Sequence, residues 1–194
     1  FYSHAPTTLN SHTTMLTGLD PHAHGVPSNG FPYEGIQETL AQRLKREGYQ
    51  TLAVVGSAAL GRNMGLSRGF DTYDDRASFK HHTMYQDTAE GVVRRAFQYL
   101  DELRSDVPLF LFVHFYDPHG PLTPPQSIRD RFVDAKTESP FRSMPWSRGA
   151  YMKRWRSGQV THWDRDFGTS LYLAEVSYMD QQIGRLLEGL TTRG

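Results

Sequence analysis

Cysteine is missing from this 194-residue chain, which excludes disulfide staples and thiolate metal sites but leaves the compartment open. No apolar run reaches the length needed to cross a bilayer. Neither sign of charge dominates: 21 Lys plus Arg oppose 21 Asp plus Glu, giving zero net charge with neutral histidines. Such balance gives no ground for a nucleic-acid or membrane-surface partner. An initiator Met and a targeting segment are missing as well. The chain opens Phe1-Tyr2-Ser3 and stops at Gly194 just after a helical pattern. It reads as part of a longer reading frame, so an upstream signal peptide stays possible and localisation stays unknown.

What is present fits a loop-bearing globular domain, with 17 Gly, 11 Pro and enough chain for a sizeable core. One domain is the default expectation. Segment 9–17 reads as a helix with Thr8 as N-cap and Gly18 as its left-handed stop. A second helix is predicted over 35–47 on the spacing of Ile36, Leu40 and Leu44, and a buried strand over 50–56. Asp87 or Thr88 can cap a helix running to about Arg104, with Val92, Val93, Ala96, Phe97, Leu100 and Leu103 inward. Segment 108–116, apolar on both faces, reads as a central strand. The longest helix is predicted over 171–190, burying Leu173, Val176, Met179, Ile183, Leu186, Leu187 and Leu190. Alternation of helix and strand argues an α/β fold with a mostly parallel sheet sandwiched by helices. Segment 137–166, with Pro140, Pro145, three Trp and six basic residues without period, reads as a surface excursion. It is either a solvated connection or a basic, aromatic lid over a substrate.

Chemistry concentrates at the amino end. A hydroxyl beside a helix N-terminus faces unpaired N–H groups and the positive end of the dipole. Thr8 is therefore either an ordinary cap or part of a site for an anionic phosphate or sulfate ester. His12 lies one turn later and can share a pocket with Thr8, or stand on the helix surface. His22 and His24 bracket a tight turn and are read as positioning it. His114 lies inside the second strand, as a satisfied core histidine or a ligand. Asp117 and His119 follow at its carboxyl end, where open α/β sheets place ligands. The Asp74–Asp75 pair reads as loop.

The motifs resemble those of the sulfatase family, within the alkaline phosphatase superfamily. Leu16-Thr17-Gly18 and Pro21-His22-Ala23-His24-Gly25-Val26 match the segment that follows the family's nucleophile. Asp117-Pro118-His119, Gly69-Phe70-Asp71 and Tyr172-Leu-Ala-Glu-Val-Ser-Tyr-Met-Asp180 match three further segments in the same order. The resemblance implies an α/β catalytic domain of that type over 1–194, incomplete at both ends, and a divalent metal (Ca, Mg, Mn or Zn) most of whose ligands lie outside this chain. It assigns Thr8 as nucleophile and metal ligand, His12 to the ester's anionic oxygens and His119 as the acid. Ser11, Asp117 and Arg62 are the candidate substrate-side residues, Arg62 or Arg68 replacing charges the family carries in Gly-Lys-Trp-His-Leu-Gly. Here that segment is Gly56-Ser-Ala-Ala-Leu-Gly61, and Asn10 stands where the family has Pro. Sulfatases proper convert Cys or Ser into formylglycine, a route closed to Thr by the methyl on its β-carbon. Related phosphodiesterases use an unmodified Thr. The implied function is metal-dependent cleavage of a sulfate or phosphate ester, small-molecule, glycan or lipid. A headgroup transferase or a degenerate, non-catalytic binding protein are the alternatives. Glu175 and Asp180 are expected to serve structure.

Overall fold

The apolar run after Gly48 becomes β1 (Gln50–Val55), middle strand of a three-stranded parallel sheet in the order β2-β1-β3. β2 (Thr72–Asp74) pairs Leu52 with Thr72, and β3 (Leu109–His114) pairs Leu52 with Leu111 and Val55 with His114. This computed structural model describes residues 2–76, 87–139, 141 and 148–193. It divides into two compact units, Phe1–Phe115 with Leu190–Gly194, and Tyr116–Gly189. The parallel sheet with helices confirms the α/β expectation.

In the first unit Ala53 and Val55 of β1, with Phe110 and Phe112 of β3, meet Leu9 and Leu16 of α1 (Thr8–Thr17) and Ala41 of α3 (Leu40–Arg46). Leu52 and Val54 take the opposite face by strand alternation. α4 (Ala89–Leu100) packs on β1 and β3. Placing 108–116 at the centre of the sheet was wrong among the described strands: β3 is an edge and all six of its residues are half-buried. Two apolar faces report what covers a strand, not what bonds to its edges.

Helix ends follow local chemistry. The second predicted helix starts later, because Thr39 and Gln42 form a capping box and leave Ile36 97% exposed. α2 (Pro21–His24) is a single turn with Pro at its start and Gly25 in the left-handed region at its end. Gly69, at φ +90°, approaches α3 so closely that a Cβ would lie 2.2 Å from the Gln42 nitrogen. α4 is capped by Thr88, whose hydroxyl accepts from the Gly91 N–H, and ends at Leu100 rather than near Arg104. Asp74 is no loop residue. It closes β2, is 2% exposed, and shares Arg95 with Asp87 at 2.9 Å from each. Arg76 pairs with Asp74 as well, and these cations hold its carboxyl down to about 2 against the cost of burial.

The second unit contains α5 (Gln126–Phe132), α6 (Arg148–Arg156) and most of α7 (His162–Arg193). Its core joins Leu122, Val133, Phe141, Phe167 and Leu171. Within the segment expected as an excursion, 148–156 is helical, and Asp164 is fully buried, accepting from Ser139 Oγ at 2.8 Å and the Thr161 N–H at 2.9 Å. Pro140, Pro145 and Trp146 lie outside the described residues. The buried face of α7 is rotated from the predicted one. Leu173 and Leu187 are 47% and 57% exposed, while Ala174, Glu175, Tyr178 and Gln182 are buried. Counting apolar letters missed a face whose polar members find partners.

Candidate active site

Thr8 is the first residue of α1, not its cap. Thr7 holds the cap position with extended backbone, φ −112° and ψ 148°, and makes no side-chain cap bond. The capping group comes from elsewhere: Asn29 Oδ1 accepts the Leu9 N–H at 2.8 Å. Among the described residues the Thr8 and Asn10 amides have no partner, and the buried Thr7 hydroxyl has none either. The half-buried Thr8 hydroxyl is likewise unpaired among them. A helix of ten residues thus begins with free donors around a free hydroxyl, an arrangement suited to an anion.

His12 stands one turn on. Its Nδ1 donates to the Thr8 carbonyl at 2.7 Å, and Ser11 Oγ donates to the same oxygen at 3.0 Å. Burial lowers the His12 pKa against the opposing pull of that carbonyl, so the ring is held neutral with Nε2 bare. Its edge meets His114, last residue of β3, at 5.0 Å between ring centroids, and Phe112 at 6.0 Å. Burial, with His12 adding to it, depresses His114 to about 4. His114 Nδ1 is buried without a hydrogen-bond partner, so it is not the satisfied core histidine of one sequence reading. His24 does position its turn: its Nδ1 accepts the Val26 N–H and its Nε2 donates to Thr14 Oγ1, each at 3.1 Å. His22 is exposed.

The remaining candidates lie elsewhere. Arg62 turns to β2, donating to the Tyr73 carbonyl at 2.6 Å with its guanidinium 5.7 Å from the Tyr73 ring. Arg68 spends its donors on the Tyr33, Gly35 and Gly65 carbonyls. Ser57, where the family carries charge, caps the Ala59 N–H. Thr8, Ser11 and His12 are therefore brought together with His114, and Arg62 is not.

Asp117 and His119 belong to the second unit. His119 is exposed, its Nδ1 donating to the Gly120 carbonyl at 2.8 Å and its ring 4.4 Å from that of Tyr116. Asp117 is hydrogen-bonded to Glu175. A cavity of about 520 Å³ beside this loop is lined by Pro118, Gly120, Leu122, Tyr151, Arg165 and Tyr172, among others. The first unit has a larger cavity of about 710 Å³, but Gln50, Pro108 and Leu109 place it at the amino ends of β1 and β3, opposite His114.

For a metal, the donor set present does not fit. Among the described residues no three His, Cys, Asp or Glu converge, and a hard cation needs several oxygen ligands where Thr8 offers one. Sequence reasoning missed the Asn29 cap, the His12–His114 contact and the Asp117–Glu175 pair. Only Glu175 left a signal, a carboxylate at helical spacing between Leu171 and Tyr178.

The first unit thus joins a parallel α/β sheet, a threonine at a helix N-terminus and a histidine, His114, at the end of β3. The sulfatase family model matches residues 1–194, and the chain belongs to the sulfatase family. No curated protein matches its sequence. Among solved structures, BT4656 in complex with its substrate D-glucosamine-2-N,6-O-disulfate is similar over 100% of this chain and 54% of its own, at 19% identity and TM-score 0.67. Phosphonate monoester hydrolase of Agrobacterium radiobacter is similar over 99% and 51%, at 16% identity and TM-score 0.68. The lipoteichoic acid synthase LtaP from Listeria monocytogenes is similar over 98% and 41%, at 17% identity and TM-score 0.66. The chain spans about half the length of these proteins, and at such identities the likeness is one of fold. No helix among the described residues is long and apolar enough to cross a membrane.

Proposed function

We propose that the protein of which this chain is part hydrolyses a phosphate ester, a diester above all, with unmodified Thr8 as nucleophile. The observation that carries the reading is the Thr8 hydroxyl, unpaired among the described residues, with free amides at the start of α1 and His12 one turn on. Thr8 Oγ attacks phosphorus, its proton passes to His12 Nε2, and the P–O bond to the leaving group breaks. The Thr8 and Asn10 amides and the helix dipole meet the charge that grows on the non-bridging oxygens. That task was expected of His12. In its tautomer here Nε2 accepts and Nδ1 is spent, so the amides are better placed for it. His119, whose Nδ1 is tied to the Gly120 carbonyl, donates to the leaving oxygen through Nε2. Water then releases the phosphate from Thr8.

Asp117 orients the loop that carries His119, Ser11 steadies the Thr8 carbonyl, and Arg62 serves β2. The family's own chemistry favours sulfate esters, yet a threonine cannot become the aldehyde hydrate that sulfate cleavage uses there. A transferase differs only in the second step, where an alcohol replaces water. The leaving group would be a small-molecule, glycan or lipid alcohol.

The test compares an aryl sulfate, a phosphate monoester and bis(4-nitrophenyl) phosphate on the full-length protein, with divalent metal, for wild type and Thr8→Ala. Diester turnover that falls by 10³-fold or more in Thr8→Ala, about 4 kcal/mol, supports the reading. Sulfate turnover that survives Thr8→Ala overturns it, and no turnover of any ester favours a binding protein.

A further inference from the structure

The loop that carries His119 is tied at both ends to one buried side chain. Glu175 sits on α7 at the helical spacing of Leu171 and Tyr178 and is only 3% exposed. Its Oε1 accepts the Thr123 backbone N–H at 2.6 Å, and its carboxyl group is hydrogen-bonded to that of Asp117. Between those two anchors the chain runs Asp117-Pro118-His119-Gly120-Pro121-Leu122-Thr123. His119 is the exposed member of this loop's centre, while Leu122 is 5% exposed and part of the core. A buried carboxylate is ordinarily met by a guanidinium or ammonium, as Asp74 and Asp87 are in the first unit. Among the described residues, none of that kind bears on Glu175. Asp117 is the titratable group whose charge bears on it, and the Thr123 amide is its other polar partner. Two carboxylates in contact do not both ionise cheaply, and a single proton between them makes the hydrogen bond that joins them.

We propose that Glu175 is a positioning residue: by holding Asp117 at one end and Thr123 at the other, it sets the conformation of the loop that presents His119. The proposal rests on the reading of His119 as proton donor, but the clamp itself does not depend on which ester is cleaved. Burial, with Asp117 adding to it, pushes the Glu175 carboxyl up to about 7. The clamp is therefore closed in acid and loosens as pH rises and Glu175 ionises beside Asp117. An activity that depends on the anchored loop declines as the anchor is lost on the alkaline side.

The test uses the full-length protein as wild type, Glu175→Ala and Glu175→Gln. A glutamine in this place accepts the Thr123 N–H through its oxygen and donates its amide to Asp117, with no proton to lose. The first readout is the His119 ring resonances followed by NMR from acid to alkaline pH. The second is kcat and KM for bis(4-nitrophenyl) phosphate over the same range. In wild type the His119 signals show a second titration step that coincides with ionisation of Glu175, and Glu175→Gln lacks that step. Glu175→Ala lowers kcat about tenfold or more with KM within about twofold, and Glu175→Gln restores most of the loss with a shallower alkaline decline. The proposal is overturned if the second step persists in Glu175→Gln, or if Glu175→Ala leaves both the His119 titration and kcat as in wild type. Should wild type turn over no ester, the hydrolytic reading fails and the NMR step alone decides the clamp.

Discussion

Two buried carboxyls, Asp74 in the first unit and Glu175 in the second, are held in opposite ways. In the first, Asp74 and Asp87 share Arg95, Asp71 pairs with Lys45, and His12 and His114 are held neutral by burial. In the second, Asp164 is likewise held down against burial, by Thr161, Ser139 and Arg154, whereas Glu175 meets another carboxyl and is pushed up. Asp74 at 2% exposure and Glu175 at 3% are equally dry. The partner decides the direction: a guanidinium keeps a carboxylate charged, and a second carboxylate keeps it protonated.

The strongest way to break this comparison is to remove the cation. Arg95→Met leaves Asp74 and Asp87 buried without their shared partner, and its guanidinium also serves the Val55 carbonyl at 3.1 Å. The expected loss is about 3–5 kcal/mol, read as a fall in the urea midpoint of the first unit. A loss below about 1 kcal/mol would mean the triad is compensated by water or rearrangement.

Acidity sharpens the comparison with a smaller effect. The ordinary histidine value is 6.5, and His114 in the fold lies at about 4. The unfolded chain therefore takes up the proton first, and the stabilising effect of the neutral ring, full above 6.5, is lost as pH falls toward 4. His12 shifts in the same direction. Glu175 runs the other way. Its folded value of about 7 exceeds the ordinary 4.5, so its contribution is full below 4.5 and is lost as pH rises to about 7. Hydrogen exchange followed by segment should show β1 and β3 better protected at neutral than at mildly acidic pH, and α7 around Glu175 the reverse. Parallel pH dependence of the two regions would refute the assignment.

The smallest expected effect concerns the Thr8 site. Asn29→Ala removes the group that caps the Leu9 N–H and should cost about 1 kcal/mol, measured by thermal melting. Stability unchanged within about 0.3 kcal/mol would show that solvent replaces the cap.

Much of this was legible in the residues. The run Leu52–Val55 could only be a buried strand, and Gly18 and Gly25 end their helices in the left-handed conformation their positions demand. The Thr8–His12 relation follows from helical spacing alone. Harder to read was α7, where the buried stripe contains Glu175 and Gln182 and the exposed face contains Leu173 and Leu187. A polar residue enters a core only when a partner waits there, and that partner lies far along the chain: Thr123 is 52 residues from Glu175.

The sequence by itself determined the class of fold, the family and the one-turn spacing of Thr8 and His12, because these depend on spacings within a few residues and on local propensity. Only the tertiary structure decided which amides stay free, that His12 is neutral beside His114, and which carboxyls keep a proton. Those properties depend on burial and on through-space partners, and neither is written in the order of residues along the chain.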